Sequence, residues 1–208
     1  MNSRHVLSLT LAAVLCLGAV AQAAEDITSE ANKAELQKTI DNCAVCHGPD
    51  GHSVSPTFPN LAAQQSVYIE NQLNAFKNET RGDPDAQAYM WGMASQLNPE
   101  LIKGLAHYFS SQPAPPATAG DPKLIAQGRK IFTQGVPANG IPPCASCHGP
   151  TAEGRGRFPR LAGQHAPYLL KQLLVIQSAL RSAPVMHGIV KDLKPDQMQA
   201  VTAYLASL

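Results

Sequence analysis

The chain has 208 residues, of which 44% are hydrophobic and 15% are charged, and its formal net charge is +1. This composition is that of a folded protein and excludes a disordered one, and the length suffices for one large domain or two small ones. A near-neutral charge balance argues against a nucleic-acid-binding protein, in which basic residues accumulate. We therefore expect a globular protein without a nucleic-acid partner.

The first 23 residues have the pattern of a secretory signal peptide. An apolar stretch over residues 6–20 is too short to span a bilayer, and residues 21–23 (AQA) form an A-x-A peptidase site. The alternative is a retained membrane anchor, but no stop-transfer segment follows. We expect residues 1–23 to be removed during export to an oxidising compartment outside the cytoplasm.

Four cysteines follow the signal segment, and they form two pairs with the same spacing. Each pair is followed directly by histidine, which gives C-x-x-C-H motifs at residues 43–47 and 144–148. Two thiols three residues apart on a helical turn can reach both vinyl groups of a haem edge, and the next residue can present its imidazole to the iron. The motifs predict two covalently bound haem c groups, attached by Cys43, Cys46, Cys144 and Cys147.

Three other uses of the cysteines compete with haem attachment. Two disulfides would suit an exported protein with an even cysteine count. A four-cysteine zinc site also uses paired C-x-x-C motifs, but these pairs are about 100 residues apart. A thioredoxin-like redox pair requires a βαβ setting, and no strand pattern surrounds either motif. The histidine after each pair favours haem.

The cysteine motifs belong to a repeat that covers nearly the whole chain after the signal segment. Residues 58–64 (FPNLAAQ) match residues 158–164 (FPRLAGQ). Further along, Met90 precedes Trp-Gly and Met186 precedes His-Gly. A methionine therefore stands at the same place in each unit.

A linker separates the two units. Residues 111–120 lack apolar periodicity and hold three prolines, so they should be extended and semi-rigid. The expected domains are residues 24–110 and 121–208. Proline next to a polar residue marks three helix starts, at Pro99, Pro122 and Pro195.

Each unit is predicted to be all-α, with a helix entering the cysteine motif, a loop rich in glycine and proline, a middle helix, a methionine loop and a closing helix. This order resembles class I cytochrome c, and the duplicated form resembles the cytochrome c-four (c4) family of dihaem proteins over about residues 35–208. The resemblance implies two tandem class I domains, each wrapped around one haem. It also implies a periplasmic, sometimes membrane-associated, electron donor to terminal oxidases.

The axial iron ligands are predicted from the same motifs. The histidine that adjoins each cysteine pair is the expected proximal ligand, and the repeated methionine is the expected distal ligand. A thioether donor stabilises ferrous iron and closes the iron to substrates, which suits electron transfer. The predicted ligands are His47 and Met90 in the first unit and His148 and Met186 in the second.

Two neighbouring residues are alternatives as ligands. Met93 lies on the same loop as Met90, and His187 adjoins Met186, but neither has a counterpart of its own type in the other unit. The family resemblance further implies that Pro59 and Pro159 hold the loop whose carbonyl accepts the other ring proton of each proximal histidine.

Charge is divided unequally along the chain. Residues 24–112 hold five Lys or Arg against eleven Asp or Glu, a net charge of −6, whereas residues 121–208 hold ten against four, a net charge of +6. The halves could attract each other, or the charges could orient the protein toward partners and separate the two haem potentials.

Two classes of function fit this sequence. The first is an electron carrier without catalytic residues, with a quinol-oxidising complex or a dehydrogenase as donor and a terminal oxidase as acceptor, and with peripheral association with the membrane. The second is an electron-transfer subunit or a dihaem enzyme, such as a thiosulfate dehydrogenase or cytochrome c peroxidase relative, which needs an open iron or an unusual ligand. A methionine in both units and no spare cysteine favour the carrier.

Overall fold

The computed structural model describes the backbone of residues 15–208 and the side chains from residue 30 onward. Within these residues the secondary structure is helical and contains no strands, as predicted; isolated antiparallel bridges join Val136 to Ile141 and Arg155 to Phe158. The helices are α1 (Leu15–His47), α2 (Ser66–Lys77), a π-helical turn (Ala86–Met90), α3 (Trp91–Ser95), α4 (Pro99–Ser110), α5 (Pro122–Gln134), a 3₁₀ turn (Pro137–Asn139), α6 (Ala145–His148), α7 (Ala166–Gln177), α8 (Pro184–Val190) and α9 (Pro195–Ala206).

The contacts within the chain define two compact units, and the boundary between them follows Thr39. The second unit comprises Ile40–Leu208. Both cysteine motifs and both methionine segments lie in this unit, in a first half (residues 40–110) and a second half (residues 121–208). The predicted boundaries of the two cytochrome domains stay predictions.

The predicted signal peptide falls largely outside the described residues. Residues 1–14 are not described, and residues 15–23 form the beginning of α1. In the part of the chain that the structure describes, no helix is both long enough and apolar enough to cross a membrane.

Helix starts follow from local hydrogen bonding, as the sequence predicts. The Asn98 side chain accepts the backbone N–H of Leu101 at 2.8 Å, and Pro99 occupies the first turn of α4, where its missing N–H costs nothing. The Asp121 carboxylate accepts the N–H of Lys123 at 2.8 Å in the same way at the start of α5. These caps fix where the two helices begin.

The linker is fastened to both halves. The ring Nε2 of His52 lies 2.9 Å from the carbonyl oxygen of Pro113, and the N–H of Thr118 donates to the carbonyl of Ala206 at 2.7 Å. Between these two contacts the segment forms no helix. The segment is therefore hydrogen-bonded to both halves, and its stiffness stays a prediction.

The second half is built on a close crossing of α5 and α9. A Cβ added at Gly128 would lie 1.9 Å from the carbonyl oxygen of Ala200, so glycine is required for the two backbones to approach. Phe132 and Met198 are fully buried beside this crossing. Cys144 of the second cysteine motif and Met186 of α8 pack against the resulting core.

The entry to the second cysteine motif differs from the prediction of one helix leading into each motif. The first motif lies at the end of the continuous helix α1, but α5 stops at Gly135 and the second motif occupies the separate short helix α6. Gly135 has φ +72°, and a Cβ there would lie 2.2 Å from the carbonyl oxygen of Ile141. The chain turns tightly at this glycine, and Pro142 and Pro143 keep the following segment out of a helix.

Candidate haem sites

The four cysteines of the two motifs are unpaired thiols, so they are not joined as disulfides. Burial raises the pKa of Cys43 and of Cys144 to about 11, which keeps both thiols protonated at neutral pH. Zinc sites need thiolates gathered around one point. Among the residues that the structure describes, no three His, Cys, Asp or Glu side chains form such a cluster, so the cysteines do not build one zinc site.

The two predicted proximal histidines have the same environment. The Nδ1 atom of His47 lies 2.9 Å from the carbonyl oxygen of Pro59, and Nδ1 of His148 lies 3.0 Å from that of Pro159. A carbonyl can only accept, so Nδ1 carries the proton and Nε2 bears the lone pair in both rings. The loop carbonyls are those that the family resemblance implies.

Burial keeps both imidazoles neutral and ready to bind a metal. His47 is 7% exposed and His148 is 5% exposed. Burial lowers the pKa of both rings, and the hydrogen bonds to the proline carbonyls offset this only in part. The Nε2 atom of His148 is buried without a hydrogen-bond partner. A buried, neutral nitrogen without a protein partner fits an iron ligand, since ligation would satisfy it.

One cavity of about 640 Å³ contains both sites. Phe58 and Phe158 lie on its wall, and each ring packs edge-on to the proximal histidine of its own half, with ring centroids 6.1 and 6.4 Å apart. Seven of the eight predicted site residues line the cavity, and the eighth, Cys46, is exposed. The seven are Cys43, His47, Met90, Cys144, Cys147, His148 and Met186.

In each methionine loop the predicted ligand lines the cavity, and the alternative ligand does not. Met90 ends the π-helical turn and lines the cavity, whereas Met93 does not line it and is 49% exposed. Met186 lies on α8 and lines the cavity, whereas His187 does not, and its Nδ1 atom lies 2.9 Å from the carbonyl oxygen of Ile176. The arrangement favours Met90 and Met186 as ligands.

Sequence reasoning missed a polar cluster in the cavity wall between the two sites. The Arg81 guanidinium donates to Asp83 (2.9 Å), Gln72 (2.8 Å) and, in the second half, Gln172 (3.0 Å). The Arg181 guanidinium donates to the same two glutamines and to the hydroxyl of Tyr68, at 2.6 to 2.9 Å. The sequence repeat could have revealed this cluster, because three of its residue types recur 100 positions later. The pairs are Arg81 and Arg181, Gln72 and Gln172, and Tyr68 and Tyr168.

Charge within this cluster is retained despite burial. Burial lowers the pKa of Arg81, but its neighbours Tyr168, Tyr68 and Asp83 raise it more, so the guanidinium stays charged. Arg81 and Arg181 are each 8% exposed and Asp83 is 1% exposed. Two cations and one carboxylate leave a net positive charge in the wall of an otherwise apolar cavity. Such a wall suits a cofactor that carries carboxylate groups, as haem does.

Comparison with known proteins identifies the family. The family model for cytochrome c matches residues 34–113 and 125–208. Cytochrome c-552 of Acidithiobacillus ferridurans is 38% identical over 209 residues, covering 100% of this chain and 91% of that protein. Cytochrome c4 of Azotobacter vinelandii is 34% identical, covering 96% and 97%. The solved structure of Acidithiobacillus ferrooxidans cytochrome c4 matches with a TM-score of 0.77 and 39% identity, covering 81% of this chain and 99% of that one.

Two matches to the cytochrome c family, together with relatives named cytochrome c4 that match over nearly their whole length, account for the duplicated sequence and for the paired sites. They also show an electron carrier rather than an enzyme. The chain belongs to the cytochrome c family as a dihaem electron carrier of the cytochrome c4 type, with two covalently bound haem c groups.

Proposed function

We propose that this protein carries single electrons in the periplasm, from a dehydrogenase or a quinol-oxidising complex to a terminal oxidase, and that each half supplies one complete iron site. The attaching thiols are Cys43 and Cys46 in the first half and Cys144 and Cys147 in the second. The axial ligands are His47 with Met90, and His148 with Met186. The observation that carries the proposal is that each neutral, buried histidine shares the cavity with the methionine of its own half.

Bound haem would supply the redox chemistry, which is the exchange of one electron between ferric and ferrous iron with a donor and an acceptor. The protein's residues determine how that chemistry proceeds. The Pro59 and Pro159 carbonyls hold the imidazoles with Nε2 free to bind iron. A thioether from Met90 or Met186 leaves no position for a substrate and favours the ferrous state.

The proposed location and partners rest on sequence features and on relatives. The signal-type segment at residues 1–23 and the covalent attachment motifs support a periplasmic protein. The thiosulfate dehydrogenase electron acceptor of Thiomonas intermedia is 33% identical to this chain over 205 residues, which cover 94% of this chain and 89% of that protein. That relative supports a dehydrogenase as the donor. The split of charge between the halves supports partners that are recognised by charge, with the acidic half and the basic half facing different proteins.

The experiment that tests the site measures the weak absorption band at the red end of the visible spectrum, which reports iron–methionine bonding in the oxidised protein. We expect an intensity appropriate to two haems, and we expect Met90→Ala and Met186→Ala each to remove half of it. Met93→Ala is the matched control, because Met93 lies three residues from Met90 but outside the cavity, and it should keep the whole band. Loss of the band in Met93→Ala with retention in Met90→Ala would reverse the assignment.

A further inference from the structure

The two halves hold each other through a reciprocal pair of glutamines. The side chain of Gln164 accepts the backbone N–H of Asn60 at 2.9 Å and donates to the carbonyl of Asn60 at 2.9 Å. The side chain of Gln64 accepts the N–H of Arg160 at 2.7 Å and donates to its carbonyl at 3.0 Å. Gln64 is 7% exposed and Gln164 is 6% exposed. Each glutamine is therefore buried and binds the backbone of the opposite half.

The peptide group that each glutamine binds also holds a proximal histidine. The N–H of Asn60 and the carbonyl of Pro59 belong to one peptide group, and this carbonyl accepts the Nδ1 proton of His47 at 2.9 Å. Likewise, the N–H of Arg160 shares a peptide group with the Pro159 carbonyl, which accepts from His148 at 3.0 Å. One peptide group thus separates the glutamine of one half from the iron-binding imidazole of the other.

Hydrogen bonds in such a chain strengthen one another. When the N–H of a peptide group donates to an acceptor, its nitrogen releases more electron density to the carbonyl, and the oxygen becomes a better acceptor. A better acceptor at Nδ1 makes the imidazole more electron-rich and a stronger donor to iron. A stronger donor stabilises the ferric state and lowers the reduction potential.

We propose that Gln164 lowers the reduction potential of the iron bound by His47, and that Gln64 lowers that of the iron bound by His148. Each glutamine is a positioning residue for the iron of the other half, because it acts through the peptide group that orients the histidine. The proposal rests on the proposed function, in which His47 and His148 are the proximal ligands. A consequence is that the contact between the halves sets both potentials.

The neighbouring residues provide matched controls. The Gln65 amide donates to the carbonyl of Glu153 at 3.0 Å, and the ring Nε2 of His165 lies 3.0 Å from the carbonyl oxygen of Ser53. Both contacts also join the halves, but neither carbonyl belongs to the peptide group that binds the Nδ1 atom of a proximal histidine; the peptide group of Glu153 and Gly154 donates to the backbone carbonyl of His148 and not to its ring. Gln65→Leu therefore removes a contact between the halves without touching the proposed path.

The test is a redox titration of the dihaem protein in which the NMR signals of the iron-bound methionine methyl groups, assigned with Met90→Ala and Met186→Ala, follow each iron separately. We expect Gln164→Leu to favour reduction of the Met90 iron by about threefold to tenfold, roughly the effect of one hydrogen bond, with a smaller change at the Met186 iron. Gln64→Leu should have the converse effect. Gln65→Leu should move neither iron by as much.

A charged substitution covers the case in which the leucine variants do not fold. Gln164→Glu loses the donor to the Asn60 carbonyl but keeps and strengthens the acceptor for the Asn60 N–H. Reduction of the Met90 iron should therefore become less favourable, with a smaller change at the Met186 iron. An effect on the iron of the same half, an equal effect on both irons, or no effect beyond that of Gln65→Leu would overturn the proposal. The iron–methionine band should persist in every glutamine variant. Its absence from the unaltered protein would instead reject the proposed ligands.

Discussion

The Nη2 atom of Arg81 donates to Oε1 of Gln172 at 3.0 Å, which joins α7 of the second half to the segment before the π-helical turn of the first. The same guanidinium donates through Nε to Asp83, whose side chain is 1% exposed. The arginine therefore neutralises a buried carboxylate and connects the halves at one point.

Replacing this arginine should be costly. Arg81→Met leaves Asp83 buried without its cation, and we expect the free energy of unfolding of the dihaem protein to fall by about 3–5 kcal/mol. The measurement is denaturant unfolding followed by circular dichroism. Lys33→Met is the control, because the Lys33–Glu30 pair is 73% exposed on both sides and should be worth less than about 1 kcal/mol. An equal decrease in the free energy of unfolding in the two variants would show that the buried ion pair contributes no more to stability than the exposed one.

Tyr68 gives the cluster a dependence on pH. Burial raises the pKa of Tyr68, but the positive charges of Arg181 and Arg81 lower it more, so the phenol ionises below its usual value of about 10. A folded-state pKa below the unfolded one stabilises the fold fully above the unfolded pKa, and this stabilisation is lost as pH falls through the folded pKa. The stability difference between the unaltered protein and Tyr68→Phe should therefore widen as pH rises toward 10.

The control for this prediction is Tyr108→Phe. The Tyr108 hydroxyl donates to the carbonyl of Pro49, away from both arginines. Tyr108→Phe therefore measures the loss of a phenol hydrogen bond to a backbone carbonyl. A stability difference for Tyr68→Phe that does not change with pH would contradict the coupling of the phenol to the two cations.

Alanine substitutions at two glycines, Gly128 at the crossing of α5 and α9 and Gly92 in α3, should change the stability of the protein in opposite directions. Gly128→Ala places a Cβ 1.9 Å from the Ala200 carbonyl oxygen, and we expect it to destabilise the protein by about 1–3 kcal/mol or more, since backbone must move. Gly92→Ala in α3 meets nothing within 4 Å and should stabilise by roughly 0.5–1 kcal/mol. Thermal unfolding of both variants measures the contrast, and a tolerated Gly128→Ala would mean that the helices can separate freely.

Local patterns predicted the helical architecture well. The starts of α4 and α5 depend on a side chain and a proline within a few residues, so Asn98-Pro99 and Asp121-Pro122 suffice to locate them. The cysteine spacing similarly predicts both haem groups. The separation of α5 from α6 was missed, because it depends on the close approach of Gly135 to Ile141, which no periodicity reveals.

Contacts between the halves could not be predicted. Gln64 and Gln164 stand at equivalent positions of the repeat. These positions are the same whether each side chain forms hydrogen bonds within its own unit or with the other unit, so the sequence does not tell the two cases apart. The net charge of a segment likewise does not show which of its charged residues are buried. Arg81 and Arg181 are included in the net charges of the halves, although both are buried. Lys171 and Asp85 form an ion pair between the halves, so part of the charge split serves mutual attraction.

The reciprocal contacts of Gln64 and Gln164 have the form of an isologous interface, in which the same patch of two equal subunits meets itself around a two-fold axis. The partner atoms belong to the backbone, so the contact survives although asparagine stands at position 60 and arginine at position 160. A single unit with this segment could pair with a second copy in the same way. The two halves of the present chain meet as two copies of one subunit would, and residues 111–120 join them covalently.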